Sequence, residues 1–245
     1  MTDAARGDLE IFDTPAALAQ AVADRFLDAA QTAVGDRGGF YVALAGGTTP
    51  KAAYELLAAE PYATAVPWKD VFVYFGDERC VGPDDADSNY GMARRAFLDA
   101  VNIPSQNVHR LRGEDDPQHA ADAYARILVE DLGDFPRLDL VMLGMGPDGH
   151  TASLFPGTTV GAGDALVAAP YVEKLRAFRL TLTPRVINNA REVLIATEGS
   201  AKAEVLAAVR NGPADPDRYP IQRIVPTAGT LRWMVDRAAA SELPD

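Results

Sequence analysis

A short loop containing an aspartate and a histidine is the part of this sequence best suited to acid–base chemistry. Residues 144–151 read GMGPDGHT and directly follow the apolar run LDLVML. Residues two positions apart cannot share a helix face, but in a turn the Asp148 carboxylate can orient the His150 imidazole. An unperturbed imidazole pKa of about 6.5 suits a general base near neutral pH. We predict that His150 is such a base; the alternative is a loop histidine held by structural hydrogen bonds.

A glycine-rich turn nearer the N-terminus is suited to binding an anion. Residues 46–51 read GGTTPK, between a strand-like apolar run and a helical pattern. Glycine allows a sharp turn close to a ligand, and the free N–H groups of a first helical turn attract anions. Thr48 or Thr49 can cap the helix or donate a hydroxyl. We predict that Gly46, Gly47 and Thr48 hold a phosphate, the alternative being a capped turn without a ligand.

Four charged residues elsewhere are candidates for the same site. Asp77 and Arg79 follow the run VFVYF, where Asp77 suits contacts with substrate hydroxyls and Arg79 suits a phosphate or a developing oxyanion. Arg179 begins a predicted strand, and Lys202 lies in the first turn of a predicted helix, where a cation is unfavourable unless an anion binds nearby. The plainer alternatives are a solvated rim for the first pair and salt-bridged or solvated side chains for the second.

The candidate residues follow strands in a regular alternation of strands and helices. Apolar runs predict strands at residues 40–45, 71–75, 138–143, 179–182, 193–196 and 231–235. Helical patterns begin at Pro15, near residue 50, and at Ser88, Pro117, Pro184 and Ser200. Such alternation predicts an α/β fold, a Rossmann-like parallel sheet with helices on both faces, in one domain over residues 1–245. Ligands of such sheets bind outside the carboxyl ends of the strands, where the candidate loops lie.

Composition and charge disfavour several classes of protein. Apolar residues make up 48% of the chain and charged residues 24%, as in soluble folded proteins. No run approaches the roughly 18 apolar residues of a membrane helix, and the acidic start shows no secretory signal, so we expect a cytoplasmic protein without membrane contact. The net charge of −12 disfavours nucleic acid. It would also repel a phosphorylated substrate, so basic groups must be concentrated at the site.

Metal-dependent and covalent mechanisms find little support in the sequence. Cys80 is the single cysteine, which leaves neither an internal disulfide nor a cysteine zinc cluster. Scattered aspartates around one candidate histidine lack metal-ligand spacing; His119 is expected on a helix surface and His109 in a structural position near a strand. There is no Gly-x-Ser-x-Gly motif. We therefore expect no metal site, and any hydrolysis would use activated water rather than a covalent nucleophile.

Several segments resemble the 6-phosphogluconolactonase family. The matching segments, in the family's order, include ALAGGTTPKAAYELL, FGDERCVGPDDADSNYGMARRAF, LVMLGMGPDGHTASLFPG and EGSAKAEVL. They span the chain from about Leu44 to Leu206, and the block DGHTASLFPG is the most specific. The resemblance implies a fold similar to glucosamine-6-phosphate deaminases and ribose-5-phosphate isomerases. It implies hydrolysis of 6-phospho-D-glucono-1,5-lactone to 6-phospho-D-gluconate in the pentose phosphate pathway, by a monomer without cofactor.

The resemblance also implies residue roles. His150 would take a proton from water with Asp148 beside it. The phosphate would be bound by Gly47, Thr48, Arg179 and Lys202, and the lactone end would be lined by Asp77, Arg79 and Asn89.

Two other functions are alternatives. Glucosamine-6-phosphate deaminases carry a carboxylate five residues beyond the histidine, where this chain has Phe155, so the family resemblance favours the lactonase over a deaminase or sugar-phosphate isomerase. A non-catalytic sugar-phosphate sensor would usually carry a DNA-binding helix-turn-helix. The sequence leaves no room for one if the sheet begins at about Phe40, and Asp148 and His150 favour chemistry.

Overall fold

Two β-sheets organise the molecule. The computed structural model describes residues 7–160 and 163–244; the first six residues of the acidic start lie outside this part. In chain order the strands are β1 (Asp8–Phe12), β2 (Phe40–Leu44), β3 (Val71–Phe75), β4 (Asp77–Arg79), β5 (Leu140–Leu143), β6 (Val167–Ala168), β7 (Tyr171–Val172), β8 (Ala177–Leu182), β9 (Glu192–Thr197) and β10 (Thr230–Asp236). The larger sheet has the order β1-β10-β9-β5-β2-β3, and all of its strand pairs are parallel.

Helices flank the larger sheet. They are α1 (Pro15–Arg37), α2 (Thr48–Leu57), α3 (Tyr62–Ala65), α4 (Asn89–Ala93), α5 (Pro117–Leu132), α6 (Pro184–Asn188) and α7 (Ala203–Asn211). Short 3-10 turns cover Trp68–Asp70, Ser105–Asn107, Glu173–Leu175, Ser200–Lys202 and Pro220–Arg223, and a π-helical turn covers Arg94–Leu98. Of the helices in the described residues, none combines the length and hydropathy needed to cross a bilayer.

Local sequence explains where the long helices begin. The Thr14 side chain accepts a hydrogen bond from the N–H of Ala17 at 3.1 Å, next to a first-turn proline, and Gly38, whose φ is 79°, caps the other end of α1 directly after Arg37. Asp116 caps α5 in the same way through the N–H of His119. A side-chain acceptor satisfies an N–H that has no partner inside the helix. Both predicted helix starts are confirmed.

The core lies between the larger sheet and its helices. Every residue of β5 is buried, and β2 and β3 are nearly so, because both faces of a parallel sheet are covered. On α1, Phe26 packs edge-on against Phe40 with ring centroids 5.3 Å apart. The predicted α/β class with a parallel sheet is therefore confirmed.

The smaller sheet is antiparallel and continues from the end of β3. Its strands have the order β4-β8-β6, and β7 also pairs with β8. The N–H of Gly76 donates to Leu44 at 2.9 Å, and the carbonyl of Gly76 accepts from Leu182 at 2.8 Å. These bonds hold the start of the smaller sheet at the carboxyl end of β2, which is where the candidate residues are expected.

Some predicted elements differ from the structure. The sheet does not begin at Phe40, since β1 forms its edge beside β10; the mixed polar pattern DLEIF concealed an edge strand that is half exposed. Residues 76–87 have the polar composition typical of a loop, but they contain β4, whose pairing depends on the distant β8. The helix predicted from Ser88 changes to a π-helical turn at Arg94, and the one predicted from Ser200 opens with a 3-10 turn.

Candidate active site

All ten residues proposed from the sequence line one cavity. It has a volume of about 470 Å³ and lies where β2, β3, β5 and β9 end. Its lining includes Gly46, Gly47, Thr48, Asp77, Arg79, Asn89, Asp148, His150, Arg179 and Lys202. His119 is expected on a helix surface, and its side chain is 85% exposed. His109 stacks on the Tyr74 ring at 4.9 Å, as expected for a structural histidine. The parallel strands therefore bring residues as far apart in the chain as Gly46 and Lys202, which are separated by 156 positions, to the carboxyl edge of the larger sheet.

The His150 imidazole is held by Asp148. Its Nδ1 lies 2.5 Å from Oδ1 of Asp148, and its backbone N–H donates to the same oxygen at 3.3 Å. Gly149, at a φ of 75°, allows the reversal between the two residues. A Cβ on Gly146 would lie 2.0 Å from Nδ1, so only glycine leaves space for the ring. Since Nδ1 is occupied, Nε2 is the nitrogen free to accept a proton.

The electrostatics of Asp148 depend on a residue that the sequence patterns did not indicate. Lys174 Nζ lies 3.0 Å from Oδ2 of Asp148, the oxygen that does not contact the His150 ring. Burial would raise the pKa of this carboxyl, but the hydrogen bonds from His150 and Lys174 outweigh burial and lower the pKa to about 2. Asp148 is therefore ionised at neutral pH and can stabilise a protonated imidazole.

Phe155 packs directly on the histidine. The two rings are stacked with centroids 4.2 Å apart and an interplanar angle of 25°. The loop that carries them is fixed further by the Thr151 hydroxyl, which donates to the carbonyl of Gly144 at 2.7 Å. The position five residues beyond His150 thus presents an apolar ring to the imidazole and no carboxylate.

The glycine-rich turn forms the N-terminus of α2. Gly47 is the residue before the helix, at a φ of 104° that favours glycine, and no side chain caps the helix. Thr48 is already helical, so the capping interpretation of its hydroxyl is wrong, and the residue lines the cavity instead. A Cβ on Gly46 would lie 1.9 Å from the Asn89 amide oxygen. The turn therefore leaves N–H groups and a hydroxyl available to an anion.

The buried hydroxyl of Tyr54 stabilises the backbone that directly precedes this turn. Tyr54 on α2 accepts from the N–H of Ala45 at 3.0 Å and donates to the carbonyl of Ala45 at 3.1 Å. Ala45 directly precedes the turn and follows the last residue of β2. Both polar groups of this buried backbone are thereby satisfied, and the first turn of α2 is tied to the strand.

Asp77 is engaged through both of its carboxylate oxygens. Oδ1 accepts from the Asn89 amide at 3.0 Å, and Oδ2 accepts from the Ser153 hydroxyl at 2.8 Å. Ser153 is buried and comes from the histidine loop. The sequence patterns did not point to Ser153, because only the fold brings it to β4. Asp77 therefore links the ends of β3 and β5 across the cavity.

The neighbouring Glu78 organises the backbone around Asn89. This buried carboxylate accepts from the N–H groups of Arg79, Asn89 and Tyr90 at 2.7–2.8 Å and from the Ser88 hydroxyl at 3.0 Å. Burial raises its pKa, while the backbone donors act in the opposite direction. Glu78 alternates with the cavity-facing Asp77 and Arg79 along β4, so it anchors them from the opposite face.

We expect Glu78→Gln to destabilise the protein and to weaken substrate binding. A glutamine places an NH₂ group where a carboxylate oxygen now faces N–H donors, and an unmet buried donor costs about 1–3 kcal/mol. Urea unfolding should show a loss of that size, with a raised KM in any assay of the site. Glu130→Gln, an exposed change on α5, is the matched control. Equal unfolding curves and KM values for the two variants would contradict the anchoring role.

Three cations face the cavity without a carboxylate partner. Within the described residues, Arg79, Arg179 and Lys202 have no acidic oxygen at ion-pair distance; Arg79 donates to the Asp87 carbonyl and Arg179 to the Phe178 carbonyl. Burial lowers the pKa values of Arg179 and Lys202, and the neighbouring Arg79 adds to this for Arg179. This concentration of positive charge meets the requirement set by the acidic net charge.

The pairing of β4 with β8 modifies one expectation. Arg79 and Arg179 are directly opposite each other in the antiparallel register. Side chains in directly opposite positions share a face of the sheet, so both arginine side chains start from neighbouring positions on one face. The family resemblance implied contacts with separate ends of the substrate for these two residues. Lys202 follows β9, on the other side of β5. The cations therefore flank the histidine loop from two directions.

The fold and the cavity define a class of α/β protein with an oriented histidine and a group of cations at the carboxyl edge of a parallel sheet. A family model described as "Glucosamine-6-phosphate isomerases/6-phosphogluconolactonase" matches residues 13–233. The chain belongs to this family.

Similar proteins share most of the chain. The 6-phosphogluconolactonase of Synechocystis sp. is 42% identical, over 86% of this chain and 88% of its own. That of Nostoc sp. is 40% identical over 96% and 98%. The solved structure of 6-phosphogluconolactonase from Trypanosoma brucei matches with a TM-score of 0.86 and 27% identity, covering 97% of this chain and 99% of that chain. The resemblance first recognised in short segments is thus confirmed over nearly the whole chain.

Proposed function

We propose that the protein is a 6-phosphogluconolactonase that hydrolyses 6-phospho-D-glucono-1,5-lactone to 6-phospho-D-gluconate in the oxidative pentose phosphate pathway. The named relatives support the activity. One structural observation carries the chemistry: a histidine with Nδ1 held by a carboxylate shares a cavity with three cations that have no carboxylate partner in the described part of the chain. An ester that carries a phosphate and whose leaving group ends as an uncharged hydroxyl fits this combination of a base and cations.

The reaction proceeds by general base catalysis. Nε2 of His150 takes a proton from water as the water oxygen attacks the lactone carbonyl, and Asp148 stabilises the imidazolium that forms. The carbonyl oxygen becomes an oxyanion that Arg79 can stabilise. When the bond between the carbonyl carbon and the ring oxygen breaks, the imidazolium returns its proton to that oxygen, which becomes a hydroxyl. The acid product then ionises in water.

Substrate binding is divided between two groups of residues. The phosphate lies at the turn formed by Gly46, Gly47 and Thr48, with Arg179 and Lys202 supplying charge. Asp77, Arg79 and Asn89 line the lactone end. Because Asp77 already accepts two protein hydrogen bonds, its role is to hold Asn89 and the histidine loop in place while it contacts substrate hydroxyls. No metal or organic cofactor is needed in this scheme.

A deaminase is the second candidate, since the family description includes glucosamine-6-phosphate isomerases. Such chemistry opens a sugar ring and needs an acid near the base, whereas this chain stacks Phe155 on His150. Phe155 therefore favours the lactonase.

All residues in this scheme come from a single chain, and we propose one domain acting as a cytoplasmic monomer.

Parallel assays distinguish the candidates. In one assay the purified protein is incubated with the lactone, and the acid released is titrated. In the other it is incubated with glucosamine 6-phosphate, and the ammonia released is measured. We expect lactone hydrolysis above its spontaneous rate and no ammonia. Ammonia release would favour the deaminase. A protein that acts on neither substrate but still binds a sugar phosphate would favour the sensor.

A further inference from the structure

A β-hairpin extends to the rim of the cavity. Its arms are formed by β6 and β7 on one side and β8 on the other. Its tip is the 3-10 turn Glu173–Leu175, closed by Arg176 at a φ of 49°. Lys174 and Leu175, both in the tip, line the cavity. The tip therefore forms part of the cavity wall, although its residues take no part in the proposed mechanism.

The tip is attached to the histidine loop through one ion pair. Lys174 Nζ lies 3.0 Å from Oδ2 of Asp148, and Oδ1 of Asp148 lies 2.5 Å from Nδ1 of His150. The carboxylate thus has a different partner on each oxygen. The hydrogen bond from Lys174 is made to Oδ2, and Oδ1 is the oxygen that contacts the imidazole.

We propose that Lys174 is a positioning residue for lactone hydrolysis, which fixes the Asp148 carboxylate toward His150 and tethers the hairpin tip to the cavity wall. The inference rests on the proposed function. Lys174 acts through Asp148 rather than on the substrate, because its ammonium is committed to that carboxylate.

The charge of Lys174 also acts on the protonation of the base. Its ammonium disfavours a second positive charge on the nearby imidazole, whereas Asp148 favours it. The other charged groups that face His150 across the cavity are Asp77, Arg79, Arg179, Glu198 and Lys202. Removing the ammonium leaves these groups unchanged, so protonated His150 should become more favourable. The basic form needed for catalysis would then require a higher pH.

Two replacements separate charge from shape. Lys174→Met keeps a long side chain without charge, and Lys174→Arg keeps the charge. We expect Lys174→Met to move the acid limb of the kcat profile upward by about half a unit to one unit, a modest shift since the Lys174 side chain is 69% exposed and its charge is screened. We expect kcat on the plateau to fall several-fold, and Lys174→Arg to restore both. The substrate's own phosphate titration is common to all variants.

A control and an independent measurement complete the test. Lys69→Met removes the same charge from an exposed lysine at the start of β3, at the opposite edge of the sheet, and should leave the profile unchanged. The chain has three histidines, so ring resonances can be followed by NMR in the protein without substrate. The His150 resonance, assigned by its loss in a His150 variant, should titrate at higher pH in Lys174→Met, while those of His109 and His119 do not move.

Unchanged His150 titration in Lys174→Met would overturn the inference, and so would a Lys174→Arg variant that behaves like Lys174→Met. A protein without lactonase activity would fail the proposed function, but the NMR titration would still decide whether Lys174 controls His150.

Discussion

Replacing His150 with alanine is expected to lower kcat about 10²- to 10⁴-fold, the usual contribution of a general base, while KM changes little. In the proposed mechanism other residues make the phosphate and hydroxyl contacts that set KM, so the loss should be confined to the chemical step. Stopped-time assays of lactone disappearance, corrected for spontaneous hydrolysis, measure both constants.

The imidazole has two neighbours that could complicate this result. Alanine removes the ring that stacks on Phe155 and the partner of Asp148. His150→Asn retains a polar side chain that cannot accept a proton at neutral pH, and it should show a similar loss. His119→Ala is the control, because that histidine is exposed and outside the cavity. If His150→Ala kept kcat near the wild-type value, His150 would not be the base.

Replacing Arg179 with alanine is expected to raise KM about 10- to 100-fold with a smaller change in kcat. A hydrogen bond to a charged group is worth about 1.5–3 kcal/mol, and tenfold in binding corresponds to about 1.4 kcal/mol. Arg179 has no carboxylate partner among the described residues, so its removal leaves no protein acid unpaired.

The non-phosphorylated lactone gives a sharper version of this test. If Arg179 binds the phosphate, hydrolysis of D-glucono-1,5-lactone should be equally slow with wild-type protein and Arg179→Ala. Arg126→Ala, an exposed change on α5, serves as the control for a lost positive charge. An Arg179→Ala variant that impaired both lactones equally would place Arg179 at the reacting end of the substrate.

The sequence predicts most residues of this cavity because the candidate residues directly follow strands. The apolar runs before Gly46, Gly76 and Gly144 mark buried parallel strands, and the topology of such sheets brings the loops after them to one edge. The Asp148–His150 contact was predictable too, since the two residues are close in the chain and a glycine lies between them.

Residues that act through distant partners were not predictable. Glu78 and Ser153 look like ordinary polar residues in the sequence, and their roles depend on burial and on contacts with Asn89 and Asp77. Lys174 is 26 positions from Asp148, at the tip of a hairpin whose short strands lack a clear alternating pattern. Propensity and periodicity describe local structure, and tertiary pairing decides these positions.

Phe155 sharpens the distinction between the two chemistries of the family. Its place in the sequence indicates only that a carboxylate is missing. In the structure its ring covers one face of the imidazole, at 4.2 Å between centroids. The same side chain therefore excludes an acid from that position and restricts the movement of the base.

Lactone disappearance measured directly by NMR tests the central claim most simply. The 6-phospho-lactone is followed at a pH where its spontaneous hydrolysis is slow, with increasing amounts of wild-type protein and with His150→Ala. We predict a rate that rises in proportion to wild-type protein, 6-phospho-D-gluconate as the product, and almost no acceleration by the variant. A rate equal to the spontaneous one at every wild-type concentration would contradict the assignment of this cavity as a lactonase site.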